Sequence, residues 1–318
     1  DNLLIEDPFE IHASIKKEKL MGIMQSQMIH HLENCNEYNS WFKQSNFQSP
    51  EKIEKYEDVP FIPSAVFKYA RLSSVKEKGK IIKSSGTSSD NRSEIFINNQ
   101  TSNFQKKALS KILSSFLGKK RKPFFIVDTQ PIASIDIDGS MTARFAGMSG
   151  YLMAAKTNNY LLKKNESGEL DLDFEVFEKL LGISKKEPVV LIGYTYMIWE
   201  YLINNQQIDF DRLELNENSK LIHFGGWKKL RDKNLDKKEL VKKVTETIKV
   251  SEENIFDIYG FSEQLGTVYV SQGNEGAKVC SYANVLVRDM NTLEVVQDGQ
   301  TGFMQFISAL PTSYPGFS

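Results

Sequence analysis

Twice in this chain a short apolar run ends in glycine and gives way to a helical stretch. That unit constrains the fold more than any other feature. Val189-Val190-Leu191-Ile192-Gly193 is one case, and Lys220-Leu221-Ile222-His223-Phe224 followed by Gly225-Gly226 is the other. A short continuous apolar run bounded by glycine fits a strand covered on both faces, as in a parallel sheet. Helices are predicted after each, over Tyr196–Asn204 and over the Lys/Glu-rich residues 236–248. Strand, turn and helix in alternation predict an α/β fold: largely parallel sheets with flanking helices.

Residues 9–46 predict a helix, with Ile11, Ile15, Leu20, Ile23, Met24, Met28 and Leu32 at three-to-five spacing. A lead-in packed on a later sheet is favoured over a partner-binding helix. Pro60 and Pro63 then end helical structure, because proline removes a donor and holds its predecessor extended. Residues 79–98 predict strand, loop and strand. A helix follows over 101–117, a strand over Pro123–Asp128, a Gly/Ser-bearing stretch from Ile135 to Gly150, and a helix over 173–182. After residue 254 short strands crowd together, over 255–258, 267–271, 283–289 and 302–308. The expected organisation is a helical lead-in over 1–60, an α/β body over 61–253, and a β-rich subdomain over 254–318.

Composition excludes several classes. Lys and Arg number 40 against 41 Asp and Glu, so there is no electrostatic case for nucleic acid or an anionic membrane. No apolar run reaches the ~18 residues of a membrane span, and no signal peptide opens the chain. Cys35 and Cys280, far apart in 318 residues, are no disulfide framework and fit a reducing, cytoplasmic setting. No Cys/His cluster has the spacing of a structural zinc site.

Three motifs carry chemistry. In Ser84-Ser85-Gly86-Thr87-Ser88-Ser89, glycine lets backbone approach a ligand, and amides and hydroxyls can surround phosphate oxygens without adding charge. It is not a Walker A loop, and alone such a run is more often a flexible turn. Tyr259-Gly260-Phe261-Ser262-Glu263-Gln264 follows the apolar run Ile255–Ile258, so it sits where open α/β sheets bind ligands. There Tyr259 can stack on a purine and Glu263 can hold Mg²⁺, which takes hard oxygen ligands; a surface turn with a solvated Glu is the plainer alternative. In His223-Phe224-Gly225-Gly226-Trp227-Lys228 the paired glycines let backbone lie against a planar ligand, or simply allow close helix packing. Trp227 fits a core anchor as well, and His223 reads as packed. No nucleophile elbow is present, since Gly147-Met148-Ser149-Gly150-Tyr151 lacks its last glycine.

A hydroxyl/glycine loop, a Gly-Gly turn and a Tyr-Gly-x-Ser-Glu strand end, in that order, resemble the adenylate-forming superfamily of acyl-CoA synthetases, luciferases and peptide-synthetase adenylation domains. More narrowly the chain resembles acyl-protein synthetases of the LuxE type, which activate fatty acid for reduction to aldehyde in bacterial luminescence. The narrower likeness rests on Ser84-Ser85-Gly86-Thr87, Gly225-Gly226-Trp227-Lys228, Val287-Arg288-Asp289 with Thr292-Leu293-Glu294, and Ser313-Tyr314-Pro315-Gly316, with Phe67-Lys68 before the loop.

The resemblance implies the large N-terminal domain of such an enzyme, ATP and Mg²⁺ as cofactors, and a carboxylic, fatty-type acid as substrate. It implies activation to an acyl-adenylate and transfer to a protein thiol, with an acyl-reductase or acyl-carrier partner. It places Ser84, Ser85, Gly86, Thr87 and Ser88 on the ATP phosphates, Gly225, Gly226, Trp227, Tyr259 and Gly260 about the adenine, and Glu263 on the metal. Thr87 and Glu263 are the catalytic pair, and Gly193, Tyr194 and Thr195 are candidates for the acyl pocket. Ser89 departs from the family's glycine. The ribose-binding Asp, the small C-terminal domain with its catalytic Lys, and the acylated Cys are expected after Ser318, and neither Cys35 nor Cys280 matches that Cys. Two alternatives stand beside this: a CoA ligase resembling phenylacetate-CoA ligase, and a non-catalytic subunit of an acyl-reductase or surface-polymer assembly. Calorimetry with Mg-ATP separates enzyme from scaffold.

Overall fold

The computed structural model describes residues 7–45, 47–76, 79–84, 92–130, 141–225 and 235–316, with backbone alone for 141–147. Two helices lead, α1 (Ala13–Asn34) and α2 (Asn36–Gln44). A single helix over 9–46 was the expectation. The break falls at Cys35, whose extended backbone (φ −126°, ψ 105°) cannot continue a helix. Leu20, Met24 and Met28 stack at i, i+4, i+8 and are fully buried, so α1 is a packed lead-in.

Strands β1 (Lys80–Lys83) and β2 (Glu94–Ile97) form an antiparallel pair, with Lys83 opposite Glu94. Helix α3 (Asn99–Leu117) starts where the Asn98 side chain accepts the Thr101 N–H and stops at Gly118, held at φ 79°. Then come β3 (Lys122–Val127), β4 (Met141–Thr142), which pairs in parallel with β1, and α4 (Ala143–Leu152). Part of the Gly/Ser-bearing stretch is therefore helical. Gly147–Tyr151 lies inside α4 rather than at a strand-to-helix turn.

Next are β5 (Ala155–Tyr160), the hairpin β6 (Leu162–Lys164) and β7 (Leu170–Leu172), and α5 (Phe174–Ser184), capped by Asp173. Strand β8 (Val190–Tyr194) runs into α6 (Thr195–Met197), which continues as a π-helical turn over Ile198–Ile203. Strand β9 (Lys220–Phe224), helix α7 (Lys237–Ile248), β10 (Ile255–Tyr259), β11 (Tyr269–Gln272), β12 (Ala283–Arg288) and β13 (Phe303–Ser308) complete the chain.

The central sheet has six strands in the order β5-β3-β8-β9-β10-β11. All neighbours run parallel except β11, which is antiparallel to β10. Side chains alternate between two cores. Phe124, Ile126, Val190, Ile192 and Ile222 join the core containing α1 and α3, whereas Phe125, Val127, Leu191 and Leu221 join the core containing α5 and α7. Burial on both faces is the reason these strands read as apolar runs.

The sheet continues past the expected boundary at 253, because β10 registers with β9 and carries β11. Of the strands after residue 253, β12 and β13 stand apart, as a two-stranded ribbon. Buried Arg288 and Gln305 fix that ribbon to the segment before β1 through the Glu57 and Val59 carbonyls, at 2.7 and 3.0 Å. Among the described residues no helix is long and apolar enough to cross a membrane.

Candidate functional site

The connections of the central sheet reverse direction at β3. The chain passes from β3 to β5 on one side, then returns to place β8 on the other side of β3. Such a reversal opens a crevice beyond the carboxyl ends of the strands, where open α/β sheets bind ligands. Val127 and Gly193 are in register at that point. The ends of β8, β9 and β10 line up beside it, with Tyr194 opposite Phe224 and Phe224 opposite Ile258. The parallel register thus brings Gly193, Tyr194, Thr195, Gly225, Tyr259, Gly260 and the turn bearing Glu263 to one edge.

Gly225 has φ 86°, a conformation that suits glycine, and a Cβ there would lie 2.7 Å from Tyr194 Cδ1. The Tyr194 ring also meets Phe224 edge-on at 4.7 Å. Gly193 has a packing reason of its own: a Cβ would come within 3.0 Å of Val127 Cβ. Thr195 is fully buried. Its Oγ1 lies 3.0 Å from His223 Nδ1 and donates to the carbonyl of Phe224 at 3.3 Å. It therefore ties the end of β8 to the end of β9. His223 is buried, and desolvation lowers its pKa. A packed neutral imidazole, as the sequence predicts, is what burial favours.

Tyr259 is 48% exposed and stacks on Phe306 with centroids 5.8 Å apart. Phe261 and Tyr269 close around the same Phe306 ring. The result is a half-open aromatic platform. Burial, and after it the Glu263 carboxylate, pushes the Tyr259 phenol up.

Glu263 sits on a single turn of 3-10 helix, Ser262–Gln264, and is buried. A buried carboxylate must be compensated by donors or a cation. Ser262 Oγ donates to Glu263 Oε2 at 3.0 Å. Tyr314 Oη donates to the Glu263 carbonyl at 2.7 Å, and Gln264 Nε2 donates to the carbonyls of Phe306 and Gly316 at 2.8 and 3.0 Å. The C-terminal tract is itself moored at the start of α3, where Ser313 N–H donates to Thr101 Oγ1 at 3.0 Å. Ser313 Oγ donates to the Phe96 carbonyl at 2.9 Å. A strap over Thr312–Gly316, buried from Ser313 onward, thus joins β2, α3 and the Glu263 turn.

Ser84 ends β1. Its Oγ accepts the Ser93 N–H at 3.0 Å, which closes the base of the hydroxyl/glycine loop. Ser85, Gly86, Thr87 and Ser88, with Gly226 and Trp227, lie outside the described residues. Cys35 and Cys280 are buried free thiols, and burial pushes Cys280 up to about 12. Among the described residues no group of three His, Cys, Asp or Glu side chains could hold a metal ion.

Sequence reasoning assigned no role to Tyr314, Ser313 or Gln264. Ser313-Tyr314-Pro315-Gly316 carried a signal, as polar and aromatic residues beside a proline near a strand end, but its partners lie far back in the chain.

The family model for acyl-protein synthetase, LuxE, matches residues 1–318. The long-chain-fatty-acid–luciferin-component ligase of Aliivibrio fischeri is 24% identical over 329 residues, covering 100% of this chain and 82% of that protein. The Vibrio harveyi ligase of the same name is 33% identical over 98 residues, 30% of this chain and 26% of that protein. Among solved structures, a 2-hydroxyisobutyryl-CoA ligase in complex with 2-HIB-AMP and CoA superposes with a TM-score of 0.59 at 14% identity. That match covers 96% of this chain, which spans 62% of the ligase chain. At that identity the likeness shows the fold.

Proposed function

The chain belongs to the LuxE family of acyl-protein synthetases and is an ATP-dependent acid-activating ligase, and from that premise we propose how its residues divide the work. The substrate is a long-chain fatty acid, the class named for the Aliivibrio and Vibrio relatives. A carboxylate oxygen attacks the α-phosphorus of ATP. The new O–P bond forms as the bond to the bridging oxygen breaks, giving acyl-adenylate and pyrophosphate. A thiolate then attacks the acyl carbon and AMP leaves.

The observation that carries this reading is the buried Glu263 carboxylate, held on its turn by Tyr314 beside the Tyr259 platform at the carboxyl edge. Two anions must meet in the first step, so fixed donors and positive charge count most. Mg²⁺ suits a single hard carboxylate completed by phosphates and water, and when bound it would neutralise phosphate charge. Glu263 would hold it. Ser84, Ser85, Gly86, Thr87 and Ser88 would donate to the phosphates, with Thr87 and Glu263 acting on the reacting group. Gly225, Gly226, Trp227, Tyr259 and Gly260 would bracket the adenine, and Gly193, Tyr194 and Thr195 the start of the acyl pocket. Neither Cys35 nor Cys280 presents a thiolate to that edge, because both are buried. The acceptor thiol belongs to a protein partner or to residues outside these 318, and two free thiols suit a reducing, cytoplasmic setting.

Glu263→Gln tests the assignment. Acid-dependent ATP–pyrophosphate exchange should fall at least ~10-fold, about 1.4 kcal/mol of barrier. Exchange unchanged in a folded variant sinks the metal role.

A further inference from the structure

The amino edge of the central sheet, opposite the reaction edge, carries a cavity of about 570 Å³. It lies at the starts of β3 and β8 and reaches Leu113, Leu117, Phe124 and Val190 at its floor. That is the size of a small-molecule cleft. Helix α3 lines it with Lys106, Lys107 and Lys111. The following turn and the first residue of β3 add Lys119, Lys120, Arg121 and Lys122. Seven cations and no carboxylate line this one cavity, in a chain whose net charge is −1.

Two plainer accounts fall short. Lysines at the end of a helix complement its dipole, but that dipole is worth roughly half a charge and acts within the last turn. Lys106 and Lys107 stand about three turns before Leu117. A solvated helix face normally mixes its charges. On α7, Lys242 and Lys243 both meet Glu246, at 3.9 and 3.7 Å, whereas α3 has no acidic residue among its 19. Crowding like charges is unfavourable in itself. At Lys122 burial first, and Lys120 after it, lower the pKa, and its Nζ donates to the Leu117 carbonyl.

We propose that this cavity binds a small polyphosphorylated anion, its phosphate groups among the lysines and any apolar part against Leu117 and Met153. A concave site suits a small molecule rather than a flat protein surface. It is separate from the reaction edge, because β3 has six residues and so spans about 20 Å from one edge of the sheet to the other. Its fate does not depend on the reaction proposed above.

The test is titration calorimetry of the full chain with sodium tripolyphosphate in magnesium-free buffer. Wild type is compared with Lys107→Glu/Lys120→Glu and with Lys242→Glu/Lys243→Glu on α7. Binding that weakens at least ~10-fold in the first variant and under ~2-fold in the second supports the proposal; tenfold is about 1.4 kcal/mol. Thermal unfolding of each variant confirms that it is folded; if the double variant is not, Lys120→Glu alone should still weaken binding ~3-fold or more. Equal loss in both double variants, unchanged affinity in the pocket variants, or no binding by wild type overturns it. So does tighter binding of a decaglutamate peptide than of tripolyphosphate, which would mark a docking surface for an acidic chain.

Discussion

At the carboxyl edge of the central sheet, Thr195, Gln264 and Tyr314 make their hydrogen bonds inside the protein. At the amino edge, Lys156 reaches Glu187 at 3.0 Å with the two side chains 53% and 37% exposed. The contrast concerns what each end must do. A buried polar group left without a partner costs on the order of 1–3 kcal/mol, so buried contacts fix one geometry and resist change. Exposed charges exchange partners with water at little loss and tolerate change. These three contacts of the edge read as the reaction centre are of the first kind, and the Lys156–Glu187 pair of the opposite edge is of the second.

Gly266→Ala should have the largest effect. Gly266 follows the Glu263 turn at φ 86°, and a Cβ there would lie 2.5 Å from the Cα of Gln105 in α3. Left-handed strain together with overpacking against helix backbone gives a loss of roughly 3 kcal/mol. Urea unfolding measures it. A loss under ~1 kcal/mol would mean that the turn is free to move and the carboxyl edge is not rigid.

Acid should act next, through His31. Burial first, and His30 after it, lower its pKa from 6.5 to about 3, and Ser74 Oγ lies 2.7 Å from its Nδ1. Ser74 N–H in turn donates to the Ser313 carbonyl at 2.8 Å, so His31 supports the strap. Between those two pKa values the unfolded chain binds a proton that the folded chain does not. Stability is therefore full above about pH 6.5 and falls as the pH drops, by up to ~1.4 kcal/mol per unit. Unfolding from pH 7 to 5 should show this slope in wild type and a flatter one in His31→Gln. Parallel curves would place the acid sensitivity elsewhere.

How much of this was legible in sequence follows from the range of the interactions. Strands β8 and β9 were visible because burial on both faces demands apolar runs, and Gly225 because its backbone needs glycine. Glu263 stood out by its place after a strand. Strand β5, Ala155–Tyr160, escaped because its sequence Ala-Lys-Thr-Asn-Asn-Tyr has no apolar periodicity. It is held instead as a sheet edge, with Asn159 Nδ2 donating to the Phe124 carbonyl at 2.9 Å. The partners of the strap were hidden for a different reason. Tyr314 meets Glu263 51 positions away, and Ser313 meets Phe96 217 positions away, and no local pattern encodes either contact.

Tyr314→Phe is a smaller change at the carboxyl edge. The ring stays, edge-on to Phe67 at 6.0 Å, and only the hydroxyl is lost. The Glu263 carbonyl then lacks that donor, at a loss of about 1–2 kcal/mol. Exchange activity should drop more than unfolding stability alone accounts for, because the turn positions the carboxylate. Equal activity at saturating ATP would make Tyr314 a purely structural residue.

Lys156→Ala should have the least effect, and it tests the amino edge. Lys156 stands near the start of β5 and Glu187 just before β8, so the pair bridges two strand entries across β3. Exposed pairs of this kind contribute roughly 0.2–1 kcal/mol, and their Coulomb attraction is screened within about 8–10 Å at physiological salt. The expected shift in unfolding midpoint is on the order of 1 °C, shrinking further in 0.5 M NaCl as screening increases. A loss matching that of Tyr314→Phe, insensitive to salt, would show that this edge is also held by buried contacts. The difference between the two ends of the sheet would then lie in charge alone and not in rigidity.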